Sequence, residues 1–232
     1  MSKLYLVPNT INEEGKSLLP DYIAHEIKDV RTFFVEEPKS ARRLLKKLHT
    51  EFPFSECRFF DLNEHTHLKD IHEYTKILKS QDSAIISEAG CPCVADPGAD
   101  LVLLAHQNKI EIIPLVGPSS ILLALMASGL NGQNFAFNGY LPRDRQERAQ
   151  KIKTLEDRSM KEKQTQIFME APYRNQNILE DILASCHDKT NLCIACDITS
   201  PQQFIKTMSI REWKKIPPNI DKKPALFLLL CN

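Results

Sequence analysis

The densest chemical signal in this 232-residue chain is one loop, Ser87-Glu88-Ala89-Gly90-Cys91-Pro92-Cys93-Val94-Ala95-Asp96-Pro97-Gly98, directly after the apolar run Ala84-Ile85-Ile86. Ala89 and Gly90 carry little or no side chain, so a ligand can approach the backbone there, while Pro92 and Pro97 restrict the loop's shape. A second loop, Gly117-Pro118-Ser119-Ser120, opens a helix whose free amides can receive a carboxylate or a hydroxyl. Each loop alone reads equally well as an ordinary connection. Two small-residue loops after adjacent strands, about thirty residues apart, can together line one crevice at the carboxyl ends of a parallel sheet.

Proton-transfer chemistry needs a carboxylate or imidazole within reach of the reacting group, and Glu36, His65, Glu88 and Glu170 are candidates. Each reads equally as a solvated or capping carboxylate or a structural histidine. Cys91-x-Cys93 and Cys193-x-x-Cys196 raise zinc or redox chemistry. Positions 193 and 196 of a strand face opposite ways, and no second pair or histidine spacing completes a zinc site, so no metal is expected. Seven scattered cysteines, an odd number, point to reduced thiols. Lys39, Arg42, Arg43, Lys46 and Lys47 form a cationic run without an acid, and Arg143, Arg145, Arg148, Lys151 and Lys153 form another. Such runs neutralise phosphates or simply face water.

These groups must be held by elements that the hydrophobic pattern outlines. β-rich runs at Leu4–Val7, Thr32–Glu36, Arg58–Leu62, Ser83–Glu88 and Glu111–Leu115 alternate with helical periodicity, the mark of a parallel α/β sheet. Ala41–Leu48 puts leucines on one side and cations on the other, as a crossover helix does. After Pro118 a helix to Ser128, stopped by Gly129, begins a second unit with strands near Asn134–Tyr140, Gln166–Glu170, Leu192–Asp197, Gln203–Ser209 and Ala225–Leu230. Only a short segment separates the last two strands, which predicts a mixed sheet. The domains are read as 1–116 and 117–232. Net charge is zero with 42% hydrophobic residues, so a folded protein without a long-range attraction for nucleic acid is expected. The apolar stretch Ile110 to Leu130 is interrupted by Glu111, prolines and glycines and predicts no membrane span. The N-terminus lacks the features of a signal peptide, which predicts a cytoplasmic protein.

Taken in order and spacing, Ser87-Glu88-Ala89-Gly90-Cys91-Pro92 with Ala95-Asp96-Pro97-Gly98, Val116–Ser120, Ala127–Leu130, Phe137–Arg143 and Phe168–Arg174 resemble the ribosomal RNA small-subunit methyltransferase I family, within the tetrapyrrole methylases. The resemblance implies a two-domain α/β architecture, S-adenosyl-L-methionine in a cleft between the domains, and a homodimer. By position it marks Pro8, Ser87, Glu88, Ala89, Gly90, Cys91, Ser119 and Ser120 as cofactor contacts of the first domain, and Phe168, Met169 and Glu170 as those of the second. The histidines at 65, 67 and 72 then read as a wall of the substrate cleft. Two segments depart from the family: Val7-Pro8-Asn9-Thr10-Ile11-Asn12-Glu13-Glu14-Gly15 replaces an Ala-Thr-Pro-Ile-Gly-Asn-Leu pattern, and Glu36-Glu37-Pro38-Lys39 replaces Glu-Asp-Thr-Arg.

The expected activity is therefore S-adenosylmethionine-dependent methylation of a ribose 2′-oxygen in small-subunit ribosomal RNA. Two other outcomes share the donor loops: methylation of a tetrapyrrole or other small molecule, and a non-catalytic S-adenosylmethionine-binding assembly or regulatory protein.

Overall fold

The computed structural model describes residues 2–12 and 19–231; Glu13–Gly15 of the divergent N-terminal segment lie outside them. The chain divides into two compact units, Met1–Ser119 and Ser120–Asn232. In the first, β1 (Lys3–Val7), α1 (Tyr22–Glu26), β2 (Thr32–Val35), α2 (Pro38–Leu48), β3 (Arg58–Asp61), α3 (Leu68–Ser80), β4 (Ser83–Ile86), α4 (Ala99–Gln107) and β5 (Glu111–Pro114) follow one another. The strands form a sheet of order β3-β2-β4-β1-β5, with every pair parallel.

Strand alternation explains why this sheet is covered on both faces. Tyr5, Val7, Phe33, Val35, Ala84 and Ile86 point into one core with Leu44 and Leu45 of α2. Leu4, Phe34 and Ile85 point into the other, against Leu78, Leu101 and Ala105 of α3 and α4. Successive residues on a strand face opposite sides, so strands buried on both faces read as continuous apolar runs. β1 lies between β4 and β5, and all three end on the same side. The loops after β4 and β5 therefore flank the end of β1, the position where open parallel sheets bind ligands.

The second unit holds α5 (Ser120–Ser128), β6 (Phe135–Tyr140), α6 (Arg145–Glu162), β7 (Thr165–Met169), α7 (Asn175–Ser185), β8 (Asn191–Cys196), β9 (Phe204–Ser209), α8 (Ile210–Trp213) and β10 (Ala225–Leu230). Its sheet runs β6-β7-β10-β8-β9. β6 and β7 are parallel and the remaining pairs antiparallel, the mixed sheet predicted from the short final connection. Cys196 joins the core with Phe168 and Phe227, whereas Cys193 joins the core with Ile121 and Leu228. The two thiols thus lie on opposite faces of the sheet, as their spacing predicts. Among the described residues no helix is long and apolar enough to cross a membrane.

The basic run from Arg143 differs from its expected surface role. Arg148 is buried, with Nη2 2.6 Å from Oδ2 of the equally buried Asp181, and its Nη1 donates to the carbonyl of Arg143 at 2.8 Å. Arg145 reaches the other oxygen of Asp181 at 3.0 Å. α6 and α7 pack together, and a buried guanidinium there must be paired, which Asp181 accomplishes.

Candidate functional site

β1 ends in Pro8 and Asn9, and Asn9 holds the small-residue loop in place. Its amide donates to the carbonyl of Gly90 at 2.8 Å, and the Gly90 amide donates back to the Asn9 carbonyl at 3.2 Å. The buried Asn9 side chain extends this bridge. Nδ2 donates to the carbonyls of Glu88 (2.9 Å) and Ser87 (3.2 Å) and to Ser40 Oγ (3.1 Å). Oδ1 accepts from the Thr10 amide at 2.8 Å. Ser40, on the first turn of α2, donates its own hydroxyl to the Glu88 carbonyl at 3.2 Å. Its amide is capped by Glu37 Oε2 at 2.6 Å, so the N-terminus of α2 is tied into the same network. A buried amide side chain with every polar atom matched leaves few alternative arrangements of the loop.

The loop's own groups complete the frame. Ser87 Oγ donates to the Gly90 carbonyl at 3.0 Å, and the Glu88 amide donates to Glu36 Oε2 at 3.0 Å. The carbonyls of Glu88 and Gly90 each accept two bonds. Among the described residues the amides of Ala89 and Cys91 donate to no protein acceptor, and Ala89 is exposed. Within Glu88–Cys91 these two N–H groups are the ones left open to a further acceptor. Gly90 holds φ +72°, and a side chain there would meet the Pro118 carbonyl at 3.5 Å. Gly117 approaches the end of β1 so closely that an added Cβ would sit 2.2 Å from Pro8 Cβ. Both glycines are therefore required by the backbone path.

Farther along the loop, Cys93 (φ 66°) and Ala95 (φ 65°) occupy the left-handed region, a conformation that costs of order 1–3 kcal/mol for a residue with a side chain and gathers at functional sites. Burial, reinforced by Asp96, pushes the Cys91 thiol up and that of Cys93 to about 11. Both therefore remain thiols at neutral pH, unsuited to nucleophilic catalysis. Cys91 Sγ points toward the Pro118 carbonyl at 3.4 Å. Asp96 accepts no hydrogen bond among the described residues. Burial, then the nearby Glu36 and Glu88 carboxylates, raise it to about 7.

The structure brings together Pro8, Ser87, Glu88, Ala89, Gly90, Cys91 and Glu36 of the sequence-predicted residues, with Pro118 leading into Ser119 and Ser120. His65 stands apart on the turn after β3, its side chain 85% exposed and its Nε2 3.6 Å from Glu64. In the second unit Phe168 is wholly buried, main chain included, and stacks on Phe227 at 5.8 Å. Met169 ends β7 half-buried. Glu170 is enclosed: Oε1 accepts from the Ala171 amide at 2.9 Å and Oε2 lies 3.2 Å from Arg174 Nη2. That contact is an ion pair without hydrogen-bond alignment, since Oε2 has no hydrogen-bond partner. Asn9, Ser40 and Asp96 are the residues that sequence reasoning passed over; a proline-asparagine pair ending a strand was the available signal for Asn9. Among the described residues no group of three or more histidine, cysteine or carboxylate side chains is arranged to hold a metal.

Two expectations follow. Asn9→Ala leaves the Ser87 carbonyl without its donor, a loss of about 1–3 kcal/mol, and at about 2–4 °C per kcal/mol for a chain of this size calorimetry should register a fall of several degrees. An unchanged melting temperature would contradict the clamp. Asp96 binds its proton more tightly in the folded than in the unfolded chain. Its stabilising contribution is fully present below the ordinary value of 3.8 and is lost as pH rises through about 7. The melting temperature of Asp96→Asn relative to wild type should therefore climb between pH 4 and pH 8; a constant difference would show that Asp96 titrates normally.

The comparisons with known proteins agree with this architecture. Residues 22–214 match the family model described as tetrapyrrole (corrin/porphyrin) methylases. The chain is 30% identical over 210 residues to a ribosomal RNA small subunit methyltransferase I from Vibrio cholerae serotype O1, covering 90% of this chain and 69% of the relative. It is 32% identical to a protein of the same description from Haemophilus influenzae, covering 74% and 60%. The chain thus spans between 60% and 69% of the length of these two relatives. Among solved structures, diphthine synthase superposes with a TM-score of 0.67 at 13% identity, over 100% of this chain and 90% of that one. Uroporphyrin-III-C-methyltransferase from Thermus thermophilus superposes with 0.57 at 14% identity, over 99% and 94%. At such identity these two establish the fold alone. The alternating parallel unit, the clamped small-residue loop and the matched segments together show that the chain belongs to the tetrapyrrole (corrin/porphyrin) methylase family of methyltransferases.

Proposed function

We propose that the chain binds S-adenosyl-L-methionine at the Asn9-clamped loops and methylates a ribose 2′-oxygen of small-subunit ribosomal RNA. The observation that carries this reading is the 30% identity across 90% of the chain to a protein described as a ribosomal RNA small subunit methyltransferase I. The loop chemistry supports it. The donor supplies a methyl group on a positively charged sulfonium. The open amides of Ala89 and Cys91 suit a carboxylate or a heteroatom of such a ligand, and the left-handed Gly90 lets it approach the backbone. Glu36 and Glu88 give this corner of the unit a negative potential that favours a cationic donor over its neutral product. Pro8, Ser119, Ser120 and the Phe168–Glu170 segment complete the proposed cofactor set by their place in the family pattern.

Transfer to a hydroxyl requires the oxygen in line with the methyl carbon at about 3–3.5 Å and a base for its proton. The carbon–oxygen bond forms as the carbon–sulfur bond breaks. Of the four sequence candidates, Glu36 and Glu88 belong to the loop network itself, whereas Glu170 is enclosed by Arg174 and His65 faces solvent. Glu36 and Glu88 are therefore the proposed proton acceptors. We read the acting species as a cytoplasmic homodimer, as the family resemblance suggests.

The test supplies purified protein with isotopically labelled S-adenosylmethionine and small ribosomal subunits from a strain lacking its gene, followed by nuclease digestion and mass spectrometry. A labelled 2′-O-methylnucleoside in the ribosomal RNA is expected. Label on uroporphyrinogen in a parallel reaction, with none in the RNA, would overturn the substrate.

A further inference from the structure

We infer that the exposed face of α2, built from Lys39, Arg42, Lys46 and Lys47, is the surface on which acceptor RNA lays its phosphate backbone. This inference rests on the ribosomal RNA reading above and adds the place and manner of docking.

α2 contains five basic residues and no acidic one, in a chain whose net charge is zero. Its buried side is Ala41, Leu44 and Leu45, which turns Lys39, Arg42, Arg43, Lys46 and Lys47 outward, all exposed. Lys39, Lys46 and Lys47 take part in no ion pair among the described residues. The other basic helix is different in kind. In α6, Arg145 and Arg148 share the Asp181 carboxylate, with Arg148 itself buried, Arg158 pairs with Glu162, and Glu147, Glu156 and Asp157 are interspersed with its lysines. Of these two basic helices, α2 keeps an acid-free cationic face, about 16 Å long at 1.5 Å per residue.

Two further contacts suit that face to a polyanion. The Arg42 guanidinium lies 4.4 Å from the centre of the Phe59 ring and 6.0 Å from that of Phe54, so its direction is fixed before any partner arrives and less freedom is lost on binding. Ser40 bonds to the Glu88 carbonyl, and the first turn of α2 is thereby joined to the donor loop. The acids Glu36, Glu37 and Glu88 gather at that end and repel phosphate. The cations extend away from it. An RNA held by this face would keep its phosphates clear of the acidic donor corner, with a nearby ribose available to the loop. The lysines of the last turn also complement the helix dipole, a contribution that alone would leave RNA binding unchanged on their replacement.

The experiment measures binding of unmodified small-subunit ribosomal RNA between 50 and 300 mM salt, about the range over which phosphate contacts dominate affinity. It compares the wild type, a Lys39→Gln/Lys46→Gln/Lys47→Gln variant, and a charge-matched Lys151→Gln/Lys153→Gln/Lys161→Gln variant of α6. Calorimetry with S-adenosylhomocysteine and a melting curve confirm that each protein is folded with its donor loops intact. The α2 variant should lose at least about tenfold in affinity at low salt, and its log–log salt slope should flatten by roughly 2 to 3, near 0.7–0.9 for each lost phosphate contact. The α6 variant should stay within about twofold of wild type. Equal effects of the two variants, or an unchanged α2 variant, would overturn this surface while leaving the ribosomal RNA reading intact. No salt-dependent RNA binding by the wild type would overturn both.

Discussion

The two-way bridge between Asn9 and Gly90 is the constraint on which the rest of the site depends. A parallel sheet brings the ends of β1, β4 and β5 side by side but leaves the loops beyond them free to choose a path. Asn9 removes that freedom. Its main chain pairs with Gly90 in both directions, and its side-chain amide takes up the carbonyls of Ser87 and Glu88. With those carbonyls and the amides of Glu88 and Gly90 occupied, the open donors within Glu88–Cys91 are those of Ala89 and Cys91. The clamp therefore selects which backbone groups of this segment stay unpaired, in addition to holding the loop. Because Ser40 shares the network, the basic helix α2 is set in register with the same loop.

Close packing supports the clamp from the other side. Gly117 leaves no space for a Cβ against Pro8, so the loop after β5 and the end of β1 are in direct contact. Left-handed Cys93 and Ala95 hold the remainder of the loop in a path that an unconstrained chain would avoid. Strain of this kind persists only where surrounding contacts overdetermine the backbone. A raised Asp96 within the same loop is a further cost, since burial there disfavours its charge. Two left-handed residues with side chains and a buried Asp96 thus fall within one loop, at the end of the sheet where open parallel sheets bind ligands.

What could be read from the sequence was governed by how local the physics is. β10 was legible residue for residue at Ala225–Leu230, and the strands of the parallel unit were found to within one or two residues because burial on both faces produces unbroken apolar runs. The small-residue loops were visible because glycine and alanine at a strand end have few other uses. Asn9 was not, because the loop and helix groups it holds lie 31 to 81 positions away, and no local pattern encodes those partners. The same limit applied to Arg148, which reads as one more surface cation until Asp181, 33 residues on, is seen to neutralise it. Glu170 and His65 were both plausible bases by type. Only tertiary contacts separate an enclosed carboxylate and an exposed imidazole from the two glutamates on the loop network. The family segments marked the proposed donor loops, whereas the way those loops are positioned emerged from the hydrogen bonds.

The claim that most of this account rests on is that the Asn9-clamped loops are where the donor binds. Amide hydrogen exchange with and without S-adenosylhomocysteine addresses it directly, since the open N–H groups of Ala89 and Cys91 should become protected when a ligand accepts from them. Slowed exchange in peptides covering Ser87–Cys91 and Gly117–Ser119, against little change in β9 and α8, is the predicted result. Saturating, calorimetrically verified binding that leaves exchange across Ser87–Cys91 unchanged would contradict the account.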